Sequence, residues 1–190
     1  MEDKNPDLQI CQTAHQLWTR GFMVATSGLI SIETHRRRFL VTPTDLRRSD
    51  LTPQQLVTVD VGGVSVDGTI TLDPTLWLPH RLAYQRRSNP HGSNPLEGVT
   101  RATLLADPPM TAALLRSRPD SQVMELPACP PIAVAALEET SLKEAVDEHQ
   151  FIAIRGAGLL CMAVDLSEAL NGLETVEHAA TIQMTCDRRG

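Results

Sequence analysis

The sequence predicts an α/β fold in which helices cover a mixed, largely antiparallel sheet. Segments of helical and of strand periodicity alternate along the chain. Several neighbouring strands are joined by turns too short for the crossover that a parallel pair requires. With 190 residues, 42% apolar and 21% charged, the chain can bury one core and is too apolar to stay disordered. The reading is a single domain over residues 1–190, without internal repeats.

Asn5-Pro6 is a cap residue followed by proline at the first helical position, and Ile10, Ala14, Leu17 and Trp18 then share a helical face. Gly21 can end that helix, and residues 25–28 are a small-residue turn. Residues 29–33 and 38–42 read as strands around a polar connection at 34–37. Thr52-Pro53 opens a short helical turn, and residues 57–61 and 64–66 flank Gly62-Gly63 as a hairpin. Residues 78–87 read as helix, and 88–98 ("SNPHGSNPLEG") as a loop insertion. A strand at 99–106 precedes a helix opened by Pro108-Pro109 and running to Ser117. Ser141 with Glu144 has capping-box spacing before a short helix. Residues 151–154 and 159–164 are apolar strands separated by Arg155-Gly156-Ala157-Gly158. Asp165 with Glu168 is a second capping box, opening a final helix to about Met184.

Composition excludes several classes. A net charge of −6 argues against a nucleic-acid surface, and 3% aromatics are too few for a base-stacking platform. The polar, acidic start is no signal peptide, and no apolar run approaches a membrane span, so a cytoplasmic protein without membrane contact is expected. Cys11, Cys129, Cys161 and Cys186 are far apart and fit free thiols better than a zinc knuckle.

Four segments carry a resemblance: "GFMVATSGLISI" (21–32), "LVTPTDLRRSDLTPQQLVTVDVGGVSVDG" (40–68), "DPTLWLPHRLAYQRR" (73–87) and "FIAIRGAGLLCMAVDLSEALNGLETVEHAATI" (151–182). In order and spacing, over roughly residues 8–184, they resemble the class II aldolase/adducin family, the group of fuculose-phosphate aldolase, rhamnulose-phosphate aldolase and ribulose-phosphate 4-epimerase. The resemblance implies a three-layer α-β-α domain and a homo-oligomer, a ring-shaped tetramer in the family, with active sites between subunits. It also implies a zinc-like divalent metal on three histidines, which polarises a carbonyl and stabilises an enediolate. A glutamate beside the metal moves the proton, and backbone amides with small polar side chains hold phosphate.

By that resemblance the family's first two histidines fall at Leu105 and Asp107 of "LADPPMTAAL", the third at Arg155, and the glutamate at Leu76 or Trp77. Leucine cannot ligate zinc, a guanidinium repels it, and one aspartate falls short of three protein ligands. The expectation is therefore a degenerate site with no metal, no cofactor and no catalytic residue, whose remnants are Asp107 and Arg155. These two should lie close together, as an ion pair in the vacated site, or with Arg155 binding a carboxylate or phosphate ligand. In the phosphate loop Leu29 replaces an asparagine and Asp45 a glycine, while Ser27, Gly28, Thr44 and Thr75 remain as anion-binding candidates beside Arg155. The same small residues also suit plain tight turns. His80 matches a family histidine that is not a ligand; His91 falls in the insertion, and His178 reads as a helix-face or interface residue.

The leading functional expectation is a non-catalytic binding or assembly protein, as in adducin within the family, with a small anion as its possible ligand. One alternative is a metal-dependent sugar-phosphate aldolase or epimerase with an atypical site. Another is a metal-free enzyme using Asp107 as base and Arg155 as electrostatic stabiliser.

Overall fold

Strand β4 (Ala102–Ala106) shows how the chain builds its layers, because all five of its residues are buried. Successive side chains leave a strand on opposite faces. Ala102, Leu104 and Ala106 join one apolar cluster and Leu105 joins another, so a helical layer covers each face. The structure is a computed structural model and describes residues 5–35, 37–86, 100–118 and 122–188. The insertion read at 88–98 lies outside the described residues.

Before β4 come α1 (Pro6–Thr19), β1 (Leu29–His35), β2 (Arg38–Val41), β3 (Val57–Val59) and α2 (Pro74–Gln85). After it come α3 (Pro109–Ser117), β5 (Val123–Met124), β6 (Ile132–Ala135), α4 (Glu139–Glu148), β7 (Phe151–Ile154), β8 (Gly158–Ala163) and α5 (Leu166–Asp187). Among the described residues the strands form one sheet in the order β3-β2-β1-β4-β8-β7-β6-β5. Every pairing is antiparallel except β6 with β7, where α4 supplies the crossover. Helices α1, α3 and α5 pack on one face and α2 and α4 on the other, giving the three-layer α-β-α architecture. Among the described residues no helix is long and apolar enough to cross a membrane.

Several elements differ from the sequence reading. Trp18 is 45% exposed, so the buried stripe of α1 is Ile10, Thr13, Ala14 and Leu17. Helix α2 begins earlier than residue 78, where Asp73 accepts from the Thr75 N–H and Pro74 takes the first turn. The second arm of the Gly62-Gly63 hairpin shrinks to single bridges, Val59 with Ser65 and Val64 with Thr71. Ser141 lies inside α4 and does not cap it; its Oγ accepts from the Ala136 N–H, and Glu138 holds the cap position. Strands β5 and β6 have no counterpart in the sequence reading, and α5 runs on to Asp187.

Candidate functional site

The C-terminal end of β4 is wedged between two loops that approach it through glycine. At Gly28 (φ +73°) a β-carbon would come within 2.4 Å of the Leu105 carbonyl oxygen. At Gly158 (φ +118°) it would come within 2.2 Å of the Ala106 carbonyl oxygen. Only glycine allows such a conformation and such an approach. The 25–28 loop therefore flanks β4 on one side, and the Arg155–Gly158 turn on the other. The chain leaves β4 at Asp107, whose N–H donates to the Phe22 carbonyl (2.9 Å).

Arg48 organises the first of these loops. Its side chain is completely buried. Nη2 donates to the carbonyls of Thr26 (3.0 Å) and Gly28 (2.7 Å), Nη1 to those of Pro43 (2.6 Å) and Leu46 (3.1 Å), and Nε to that of Ser27 (3.4 Å). One planar cation thus ties the loop carrying Ser27 and Gly28 to the loop carrying Thr44. Burial pushes its pKa down to about 10, opposed by the nearby Asp45, and it stays charged at neutral pH. The hydroxyls themselves are partly engaged in local structure. Ser27 Oγ accepts from the Val24 N–H (2.8 Å). Thr75 Oγ1 donates to Asp73 (2.7 Å) at the start of α2, and no hydrogen bond among the described residues joins Thr75 to the other three candidates.

A pocket of about 210 Å³ opens between α3 and the turn joining β7 to β8. Its wall on α3 is one helical face, Pro108, Thr111, Ala112, Leu115 and Arg116; the opposite wall runs from Ala153 to Leu159. Asp107 and Arg155 both line it, so the two remnant candidates do meet at one site.

Glu177, on α5, steadies the α3 wall. Its carboxylate is buried and accepts from the N–H groups of Met110 (2.7 Å) and Thr111 (2.8 Å) and from the Thr111 hydroxyl (2.8 Å). These are first-turn donors that the helix cannot satisfy internally. A carboxylate also suits the positive end of the helix.

The donor set does not fit a divalent metal. Leu105 is fully buried in an apolar cluster with Leu82, Ala83, Leu142 and Leu160 and offers no lone pair. Asp107 supplies one carboxylate and Arg155 a cation. Among the described residues no three His, Cys, Asp or Glu side chains form a metal-binding group. His80 is fully buried: Ser31 Oγ lies 2.6 Å from its Nδ1 and 2.8 Å from the Tyr84 hydroxyl. Burial lowers its pKa to about 3, so it is a neutral part of the α2 layer.

Three residues of this site carry no signal in the sequence: Arg48, Glu177 in its capping role, and Arg116. Arg48 sits beside Arg47 in a polar run, and Arg116 reads as an ordinary last-turn cation. Only the proline pair opening α3 signals helix donors in need of a partner.

Comparison with known proteins agrees with this fold. The family model for the Class II Aldolase and Adducin N-terminal domain matches residues 8–184. The solved structure of L-fuculose-1-phosphate aldolase from Thermus thermophilus superimposes with a TM-score of 0.74 at 23% identity, covering 94% of this chain and 92% of that one. A sugar-phosphate aldolase from Thermotoga maritima gives 0.72 at 15% identity, with 97% and 96% covered. L-fuculose 1-phosphate aldolase from Glaciozyma antarctica gives 0.76 at 16%, with 97% and 74% covered. At such identities the likeness establishes the fold alone. A search of curated proteins gives no match.

Proposed function

The chain belongs to the class II aldolase and adducin family, and within it we propose a non-catalytic member, a binding and assembly protein that has lost the metal ligands and the proton-moving glutamate. The observation that carries this reading is the setting of Leu105. It is a core residue, packed between Leu29 and Leu160 on the neighbouring strands and sealed from solvent. A ligand position replaced by leucine and absorbed into a core leaves no route for a metal to reach that strand face. Leu76 and Trp77, which stand for the glutamate, are likewise built into apolar clusters.

The assembly half of the reading follows the family's tetramer. Leu8 and Trp18 on α1 and Ile182 on α5 are exposed apolar groups available for subunit contact. Four free thiols fit work in a reducing cytoplasm.

The deciding experiment is elemental analysis of purified, tag-free protein, followed by lyase assays on sugar phosphates. The expected result is metal far below one per chain and no cleavage. Zinc, manganese or cobalt near one per chain, with cleavage of a sugar phosphate, would establish the aldolase alternative instead. Sedimentation should show a species heavier than a monomer; a monomer at all concentrations would remove the assembly half.

A further inference from the structure

We propose that the outer face of α1 docks on a second copy of this chain, the two α1 helices packing antiparallel about a two-fold axis so that Leu8 of each copy meets Trp18 of the other. This rests on the assembly half of the reading above and names the surface that carries it.

Composition singles out the face. From Leu8 to Thr19 the helix carries no Asp, Glu, Lys or Arg, although 21% of the chain is charged. Ile10, Thr13, Ala14 and Leu17 are buried, while Leu8, Gln12, His15 and Trp18 are left exposed. Helix α4 shows how a solvated helix of this protein is built: its exposed positions include Glu139, Lys143, Glu144, Asp147 and Glu148. The outer face of α1 lacks that signature. Depletion of charge around an aromatic anchor is the mark of the centre of a protein contact. Leu8 is 50% and Trp18 45% exposed. The Trp18 ring rests against the His15 ring, with centroids 5.9 Å apart, which limits the freedom it loses on docking.

The same chemistry selects the occupant. Glutamine amides both donate and accept, so Gln12 and Gln16 suit their own counterparts across a two-fold axis. An acidic or a basic partner finds no counter-charge here. A chain of net charge −6 repels its own copies wherever acidic groups face each other. On the charge-free face of α1 two copies meet without that repulsion.

Spacing supports the two-fold geometry. Leu8 and Trp18 lie about 15 Å apart along the helix. Turning one helix end for end about the middle of that span brings each apolar end onto the other and sets Gln12 close to the axis. The face continues onto α5, which Arg20 joins through its ion pair with Glu174. Beyond that neutral pair, residues 178–186 again carry no Asp, Glu, Lys or Arg and leave Ile182 exposed. A ring closes through unlike surfaces, whereas this contact joins like to like. It therefore couples chains, or rings of chains, two by two.

The test is sedimentation velocity of full-length, tag-free protein over a range of concentration and salt. The parent should sediment with an even number of subunits. Gln12→Glu and Gln12→Lys, each checked for a native circular dichroism spectrum, set like charges across the axis. Each should halve the sedimenting mass, or raise the dissociation constant at least about tenfold. Mixing the two variants in equal amounts should restore the parental mass, because opposite charges then meet. Val66→Glu adds the same charge at an exposed apolar position outside α1 and should leave the mass unchanged. Raising salt from about 0.1 M to about 0.5 M should not dissociate the parent, since the contact holds no ion pair between copies. A parent that is monomeric at every concentration would overturn both this contact and the assembly reading. An oligomer whose mass Gln12→Glu, Gln12→Lys and Trp18→Ala all leave unchanged would overturn this contact alone and leave the assembly reading standing. Dissociation by salt, or equal dissociation by Val66→Glu, would also overturn it.

Discussion

Arg48 is the residue on which the site's scaffold most depends. Five backbone carbonyls converge on a guanidinium that solvent does not reach. Each buried carbonyl left without a donor costs on the order of 1–3 kcal/mol. Arg48→Met should therefore lower unfolding stability by at least about 3 kcal/mol, read as a shifted urea midpoint at unchanged m. Arg48→Lys should recover little, because three donors on one ammonium cannot span two loops. Nothing in "DLRRSD" distinguishes Arg48 from its exposed neighbour Arg47. The difference arises from where the 25–28 and 43–46 loops meet, a tertiary fact. His80 gives a second test at this scale. Its folded-state pKa is about 3, against about 6.5 in an unfolded chain. Between those values the unfolded chain holds a proton that the folded protein does not. Stability therefore falls as pH drops from about 6.5 toward 3, by up to about 1.4 kcal/mol per unit. His80→Gln should flatten that part of the profile in urea titrations at pH 7 to 4; an unchanged slope would show that the imidazole is not the group responsible.

At the scale of elements, α3 and the β7–β8 turn make the pocket, and each hangs on one residue. Glu177→Ala leaves the half-buried Met110 and the buried Thr111 N–H groups without an acceptor, an expected loss of about 2–4 kcal/mol. Glu177→Gln keeps one acceptor and should cost about half as much. Hydrogen exchange should place the faster amides in the first turn of α3 in both variants. Gly158→Ala should be worse than an ordinary glycine change, because the added methyl meets the Ala106 carbonyl in a backbone region that favours glycine. Its readout is a lowered melting temperature together with loss of whatever the pocket binds. Elements with chemical punctuation are legible in the sequence: Asn5-Pro6 opens α1, and Asp165, accepting from the Glu168 N–H, opens α5. The strands β5 and β6 are not, since a two-residue strand and a four-residue apolar run after Pro130-Pro131 carry no period to read. The start of α2 is hidden because Pro79, inside the helix, reads as a break.

Across the whole molecule, the site exists because β4 lies at the middle of the sheet and pairs with both β1 and β8. That pairing brings the 25–28 loop, Asp107 and the Arg155 turn to one sheet end, although they are distant in sequence. Periodicity can foresee helices over a mixed sheet, but the meeting of Asp107 with Arg155 is legible only through the family resemblance. The same centrality decides whether the family's metal chemistry can be restored by side chains alone. In a Leu105→His/Arg155→His variant, two imidazoles and Asp107 would supply three ligands, enough in principle for zinc. Yet position 105 is enclosed by Leu82, Ala83, Leu142 and Leu160, so its imidazole would be buried among carbon. Loss of a buried leucine's transfer energy, about 1.5–3 kcal/mol, adds to the cost of an unpaired ring nitrogen. The variant is expected to unfold at least about 3 kcal/mol more easily than the parent and to show the same urea midpoint with and without saturating zinc. Metal binding to the native state would raise that midpoint by mass action. A zinc-dependent rise, with one zinc per chain by elemental analysis, would mean the cage geometry survives beneath the substitutions. The non-catalytic reading would then rest on two side chains and not on the packing of the core.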